Sequence, residues 1–145
     1  HVALVEEGIP TVGAVAIPSI ATTFCSNDNP TNYEEISEVR VICSRTRPGP
    51  AAQVIADKLS GRIILLGSAG AKAMAVVLGN AEIYVHTGGQ YEWDSCAPVA
   101  VALANGLHAS RLDGSPLVYN QRNTYIPDLL ICRKELADIA LGIFN

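Results

Sequence analysis

Gln90-Tyr91-Glu92-Trp93-Asp94-Ser95-Cys96-Ala97-Pro98 joins two apolar segments, and its reading decides how the chain is arranged. Before it, Ala81 to His86 has the composition of a buried strand and runs into Gly88-Gly89, which reads as a turn. After it, Ala97 to Ala104 is almost wholly apolar and stops at Asn105-Gly106, as a helix does. Asp94 then falls at the N-cap or in the first turn. A carboxylate is favoured there, because it accepts from free backbone N–H groups and meets the positive end of the helix dipole. Two readings stay open on the residues. In one, Asp94 is a cap and Trp93, the only tryptophan, belongs to the core. In the other, Asp94 points at a metal or phosphate held at the helix mouth.

Working outward, the same order occurs once more upstream. Arg62 to Leu66 is a short buried strand, Gly67-Ser68-Ala69-Gly70 a turn, and Ala71 to Leu78 a helix ended by Gly79-Asn80. Strand–turn–helix repeated twice predicts parallel or mixed pairing with crossover helices. In such sheets the strand C-termini and helix N-termini share one edge, where ligands bind. Ser68, Lys72, His86 and Asp94 would face that edge.

Gly67 to Lys72 offers free backbone N–H groups at a helix start with a lysine one turn in, which suits a phosphate oxygen. A tight turn with a surface lysine is the alternative. The spacing is neither a Walker loop nor the G-x-S-x-G of a serine hydrolase, since Gly67 directly precedes Ser68. His86 ends a strand at the proposed edge and suits an anion or a structural role equally, while His108 reads as structural. Arg45 and Arg47 flank the break after the strand Glu38 to Cys43, and arginine suits bidentate phosphate binding; a solvated loop is the alternative.

The remaining segments are less regular. Residues 2–6 and 11–17 read as a hairpin with its turn at Glu7-Gly8-Ile9-Pro10. Both strands are too apolar for an isolated ribbon and need a partner sheet. Residues 26–37 read as a linker, and Ala51 to Leu59 has helical spacing. Asp113-Gly114 is a hairpin signal between Leu107–Arg111 and Pro116–Tyr119. Asn120 to Pro127 reads as a polar loop, Asp128 to Cys132 as a last strand and Lys134 to Phe144 as a closing helix. The start at His1, directly before the apolar run Val2 to Val5, reads as an entry in mid-strand, so a fragment or processed half is expected.

With 145 residues, of which 49% are hydrophobic and 17% charged, the chain can bury one ordinary core. No apolar run is long enough to span a membrane, and none follows a charged segment as in a signal peptide. Cys25, Cys43, Cys96 and Cys132 form no C-x-x-C pair, which argues against a zinc or redox motif and fits a cytoplasmic setting. Net charge is −4, yet Arg40, Arg45, Arg47, Lys58, Arg62 and Lys72 cluster between residues 39 and 72 against Asp57. A basic centre in an acidic chain suggests a small anionic ligand, not a nucleic-acid surface.

Trp93-Asp94-Ser95-Cys96-Ala97-Pro98, then Gly106, then Leu112-Asp113-Gly114-Ser115-Pro116-Leu117-Val118-Tyr119 resembles the C-terminal signature of the inositol monophosphatase superfamily. Ser68-Ala69-Gly70-Ala71-Lys72 is similar to the turn of its 3′(2′),5′-bisphosphate nucleotidase branch (CysQ type), where the lysine is typical. Val41-Ile42-Cys43-Ser44-Arg45-Thr46-Arg47-Pro48 resembles that branch's V-x-S-R-S-H segment, with Arg47 where histidine is usual. The resemblance runs from Val2 to Phe144 and is strongest from Gly67 to Tyr119.

The resemblance implies an α/β fold, the C-terminal lobe of an αβαβα sandwich, with a mixed sheet flanked by helices. It implies hydrolysis of a phosphomonoester with Mg²⁺, and Asp94 as a metal ligand. Ser68, Ala69, Gly70 and Lys72 would contact the nucleotide phosphate, joined by His86, Arg45 and Arg47. The implied substrate is a small phosphorylated nucleotide, 3′-phosphoadenosine 5′-phosphate or its sulfated relative. Inositol monophosphate and fructose bisphosphate are its rivals, and a non-catalytic nucleotide-binding or assembly module is the alternative of another class. Thr87 stands near the place of a sugar-binding glutamate in inositol phosphatases, which argues against inositol phosphate. The family's G-E-E and D-P-L/I-D-G-T segments, which carry most metal ligands, do not occur in this sequence. Residues 1–37 would therefore be the edge of an N-terminal metal-binding domain and 38–145 the C-terminal αβ domain, inactive without the N-terminal half. A homodimer stays open.

Overall fold

The computed structural model describes residues 1–144. A three-stranded antiparallel sheet comes first: β1 (Val2–Glu6), β2 (Ile9–Ile17) and β3 (Thr22–Cys25), in that spatial order. A five-stranded sheet follows, built from β4 (Arg40–Ser44), β5 (Arg62–Leu66), β6 (Ile83–Tyr91), β7 (His108–Ser110) and β8 (Tyr125–Cys132). Its order is β5-β4-β6-β8-β7, with β4, β5 and β6 parallel and β8 antiparallel to both β6 and β7. The helices are α1 (Pro50–Lys58), α2 (Ala69–Val77), α3 (Glu92–Ala104) and α4 (Lys134–Leu141).

Alternation along the strands assigns the layers. Val41, Cys43, Ile83, Val85, Leu130 and Cys132 pack with Ala51, Ile55, Leu136 and Ala140 of α1 and α4. On the opposite face Ile42, Tyr84, Leu129 and Ile131 pack with Ala73 and Met74 of α2 and Ala97, Val101 of α3. Val15 and Phe24 of the small sheet join this second cluster, so α2 and α3 lie between the two sheets. The layers run α, β, α, β. That position explains the composition of α3: a helix covered on both sides is apolar all round, and every residue from Ser95 to Ala102 is buried. The partner surface that the N-terminal hairpin needs is α3, which β2 approaches closely. A Cβ on Gly13 would stand 2.6 Å from the Ala97 carbonyl oxygen and 2.7 Å from Ala100 Cβ.

Several sequence expectations change. Gly88-Gly89 is not a chain-reversing turn. Both residues have positive φ (73° and 88°) and form a bulge opposite Pro127, because β8 continues as a partner that holds β6 in the ladder to Tyr91. Pro127 has no N–H to leave unpaired there. The same pairing extends β8 back to Tyr125, into the expected polar loop. Helix α2 begins at Ala69, not Ala71, so Ala69 and Gly70 are its first turn. The turn at Asp113-Gly114 exists, with Gly114 N donating to Arg111 O. However, 116–119 is not a strand; Tyr119 N instead donates to Gly8 O in the small sheet. β3 went unread in the sequence. Among the described residues no helix is long and apolar enough to cross a membrane.

Candidate functional site

Chain connectivity locates the crevice. After β4 the chain crosses to α1 on one face, whereas β6 feeds α3 on the other, so the C-terminal ends of β4 and β6 border a topological switch point. The residues that converge there come from four places: the loop after β4, the start of α2, the end of β6 and the start of α3.

At the start of α2, Ser68 has positive φ (63°) and its Oγ accepts from Ala71 N at 3.3 Å, a side-chain cap. This cap sets Ala69 and Gly70 in the first turn. Gly70 is also where the chain's first residue packs: a Cβ there would overlap the His1 ring. Lys72 is neither a surface lysine nor extended into solvent. It is 4% exposed, its Nζ donates to Ser68 O at 2.8 Å, and the ammonium lies 5.2 Å from the centroid of the Tyr84 ring. Burial, above all, lowers its pKa to about 8; Arg47 also lowers it, against Cys43 and Asp94.

Strand β6 contributes Tyr84, His86 and Gln90 to the face covered by α2 and α3. His86 is 5% exposed, and among the described residues its Nε2 has no hydrogen-bond partner. Burial, then Lys72, then Arg47 lower its pKa, so the ring is held toward its neutral form. In the loop after β4, Arg47 N donates to the buried Ser44 Oγ at 3.2 Å, and the Arg47 guanidinium lies over Gly89. A Cβ on Gly89 would stand 2.6 Å from Arg47 Nη1, so the bulge glycine makes room for the arginine. Arg45 is exposed and beside Gly67, next to Ser68.

Asp94 sits in the first turn of α3. Its Oδ2 accepts from Tyr91 N at 2.9 Å, so it closes the helix start from within. No hydrogen bond to its other oxygen, Oδ1, occurs among the described residues. Pro98, four residues on, has no N–H, so the Asp94 carbonyl lacks its intrahelical donor as well. Trp93 is not core: it is 62% exposed and stacks on Tyr91 with ring centroids 4.8 Å apart. Its carbonyl faces His1 Nδ1 at 3.3 Å.

The chain thus brings Ser68, Ala69, Gly70, Lys72, His86, Arg47 and Asp94 to one edge, with Arg45 at its margin. Arg47 and Lys72 are cations at this edge, and Asp94 keeps one unengaged oxygen; the two cations suit an anionic ligand. As a metal centre the donor set is incomplete. Among the described residues no group of three or more His, Cys, Asp or Glu side chains could hold a metal ion. Asp94 fits as one hard oxygen ligand, and a Mg²⁺ site needs more. Tyr84 and Gln90 were not read as site residues in the sequence; the alternation that puts Tyr84 and His86 on one face was the available signal.

The model of the inositol monophosphatase family matches residues 1–141. The chain is 47% identical over 139 residues to the 3′-phosphoadenosine 5′-phosphate phosphatase of Mycobacterium leprae (strain TN), covering 93% of this chain and 51% of the relative. It is 26% identical over 137 residues to the 3′(2′),5′-bisphosphate nucleotidase CysQ of Escherichia coli (strain K12), covering 87% and 56%. Among solved structures it is similar to CysQ from Bacteroides thetaiotaomicron, with a TM-score of 0.78 and 21% identity over 91% of this chain and 61% of that one. It is also similar to an inositol monophosphatase from Anabaena (Nostoc) sp. PCC 7120, with a TM-score of 0.76 and 21% identity over 98% and 64%. The chain spans about half the length of the curated relatives it matches. The four layers, the W-D helix start and the match over residues 1–141 together make this chain a member of the inositol monophosphatase family.

Proposed function

We propose that this chain is the substrate-binding lobe of a Mg²⁺-dependent phosphomonoesterase that removes the 3′-phosphate of 3′-phosphoadenosine 5′-phosphate or its sulfated relative. The observation that carries the reading is the edge that gathers Arg47, Lys72 and His86 within electrostatic reach of one another, with Asp94 among their neighbours. The phosphate of the nucleotide meets the backbone N–H groups at the start of α2 and the Lys72 ammonium. Arg47 and Arg45 neutralise it from the loop side, and His86, kept neutral, offers Nε2 as an acceptor to a hydroxyl of the nucleotide. Asp94 gives one ligand to metal. Bound Mg²⁺ supplies water activation and neutralises charge on the phosphoryl and leaving oxygens.

The other metal ligands come from outside this chain, from an N-terminal metal-binding half. Residues 1–37 form the edge of that half, and 38–145 are the C-terminal domain. Supporting this, the face of the small sheet turned away from α3 is apolar and exposed: Val2 is 74%, Leu4 53% and Val12 52% exposed. The preference for a nucleotide rests on the name of the 47% identical relative and on Lys72.

The test is phosphate release, with and without Mg²⁺, from 3′-phosphoadenosine 5′-phosphate, inositol monophosphate and fructose 1,6-bisphosphate. The chain is assayed by itself and with the expected N-terminal half. The reading expects Mg²⁺-dependent release only in the joined form, with the nucleotide preferred. Preference for a sugar phosphate overturns the substrate assignment. Nucleotide binding without release in either form makes the chain a binding module.

A further inference from the structure

We propose that Gln90 is a positioning residue for Lys72 and acts through Tyr84. The role assigned to Lys72 rests on the proposed function; the positioning itself rests on geometry.

Gln90 is 3% exposed, at the end of β6 just past the glycine bulge. Its Nε2 donates to Tyr84 Oη at 2.7 Å, while its buried Oε1 has no partner among the described residues. A buried amide with one unpaired oxygen is a poor choice for packing, because an apolar side chain of similar size avoids the cost of the unpaired group. The neighbouring register position is Ile126, part of the apolar core, and the hydrogen bond the amide makes among the described residues is to Tyr84. Tyr84 is fully buried, and Gln90 is the hydrogen-bond partner its hydroxyl has.

The opposite side of this contact is Lys72. A lysine ammonium on a flexible four-carbon stem needs fixed neighbours to stay in one place. Lys72 has two: the Ser68 carbonyl at 2.8 Å and the Tyr84 ring at 5.2 Å. The ring is anchored at its Cα by the β6 ladder and at its hydroxyl by Gln90. Releasing the hydroxyl frees the ring to tilt, and the ammonium loses one of its two supports. The bulge makes this contact possible. Gly88 and Gly89 stand opposite Pro127 alone, so the chain returns to the ladder at Gln90 with its side chain toward Tyr84. The next residue, Tyr91, donates its N–H to Asp94, so one short segment orders both the Lys72 and the Asp94 sides of the crevice.

The experiment is a double-mutant cycle with Gln90→Leu and Tyr84→Phe in the form that releases phosphate. Each single change removes the same hydrogen bond from one end, so Tyr84→Phe carries the test if Gln90→Leu fails to fold. Each is expected to raise KM for 3′-phosphoadenosine 5′-phosphate about fivefold, the equilibrium worth of one modest hydrogen bond, with kcat within about twofold. The double variant should be no worse than either single one. Additive effects, or an unchanged KM in both singles, overturn the proposal.

A second readout does not depend on substrate. The Lys72 ammonium lies over the Tyr84 ring, so the adjoining ε-methylene protons should resonate upfield of an exposed lysine by NMR. In both variants they should move back toward the exposed position. If the signal moves but no nucleotide is turned over by the wild type, the functional reading fails and the positioning role stands. If nucleotide is turned over and the signal does not move, the positioning role fails.

Discussion

At the scale of single residues, the proposed chemistry rests on Lys72 and Asp94. Lys72 is buried beside Arg47, and burial first of all lowers its pKa to about 8. The sign follows directly. Below about 8 the side chain is an ammonium that attracts phosphate; above it the charge is lost. Affinity of the free protein for a phosphate anion should therefore fall as pH rises through about 8, and a pH titration of nucleotide binding checks this. The unfolded chain keeps the proton up to the ordinary lysine range, so this group makes folding more favourable as pH rises from about 8 toward 10.5. Lys72→Ala should weaken nucleotide substrates more than inositol monophosphate; equal losses in kcat/KM would mean Lys72 is not a specificity element. Asp94 was legible in the sequence because an acid before an apolar helix has two physical uses, and the structure shows the first of them, the cap. Oδ2 closes the helix start, and Oδ1 is left over. Trp93 was not legible. A lone tryptophan reads as core, but here the neighbouring Tyr91 covers one face of its ring and solvent meets the rest. Gln90 was missed for a related reason. Its role exists only once the bulge brings it onto Tyr84, and no local pattern announces that contact.

At the scale of elements, the two strand–turn–helix units were readable because period, stop signals and length agreed. β5 occupies the expected 62–66, and α3 carries Asp94 in its first turn. What failed was the meaning of glycine pairs. Gly88-Gly89 looks like a turn until β8 lies alongside, and long-range pairing then decides between reversal and bulge. The packing of β2 on α3 yields a further test. Gly13→Ala places a methyl against the Ala97 carbonyl and Ala100, and both belong to a helix covered on its other side, so neither can yield. The change should cost about 2 kcal/mol in urea unfolding. A loss below about 0.5 kcal/mol would mean the small sheet is free to move off α3. The joint between the sheets has its own polar fastenings: Thr31 N donates to Asn105 Oδ1 at 3.0 Å, and the Arg133 guanidinium lies 4.8 Å from the Tyr33 ring centroid.

At the scale of the whole molecule, the four alternating layers leave one apolar sheet face exposed, and among the described residues no group of three or more His, Cys, Asp or Glu side chains could hold a metal ion. Those two facts motivate the proposal that the chemistry is shared with a segment that brings further carboxylates. The fold class was legible because the W-D segment and the hairpin signature resemble a known family. The layer order was not, since nothing local says that a hairpin at residues 2–17 will lie across a helix at 92–104. The most direct test is Mg²⁺-dependent phosphate release from 3′-phosphoadenosine 5′-phosphate by the chain joined to its expected N-terminal half, comparing wild type with Asp94→Asn. The asparagine can still accept from Tyr91 N, so stability should change by less than about 1 kcal/mol. The account predicts that turnover falls about 100-fold or more, as loss of a metal ligand requires. Equal release by both proteins, or none from either, would contradict it.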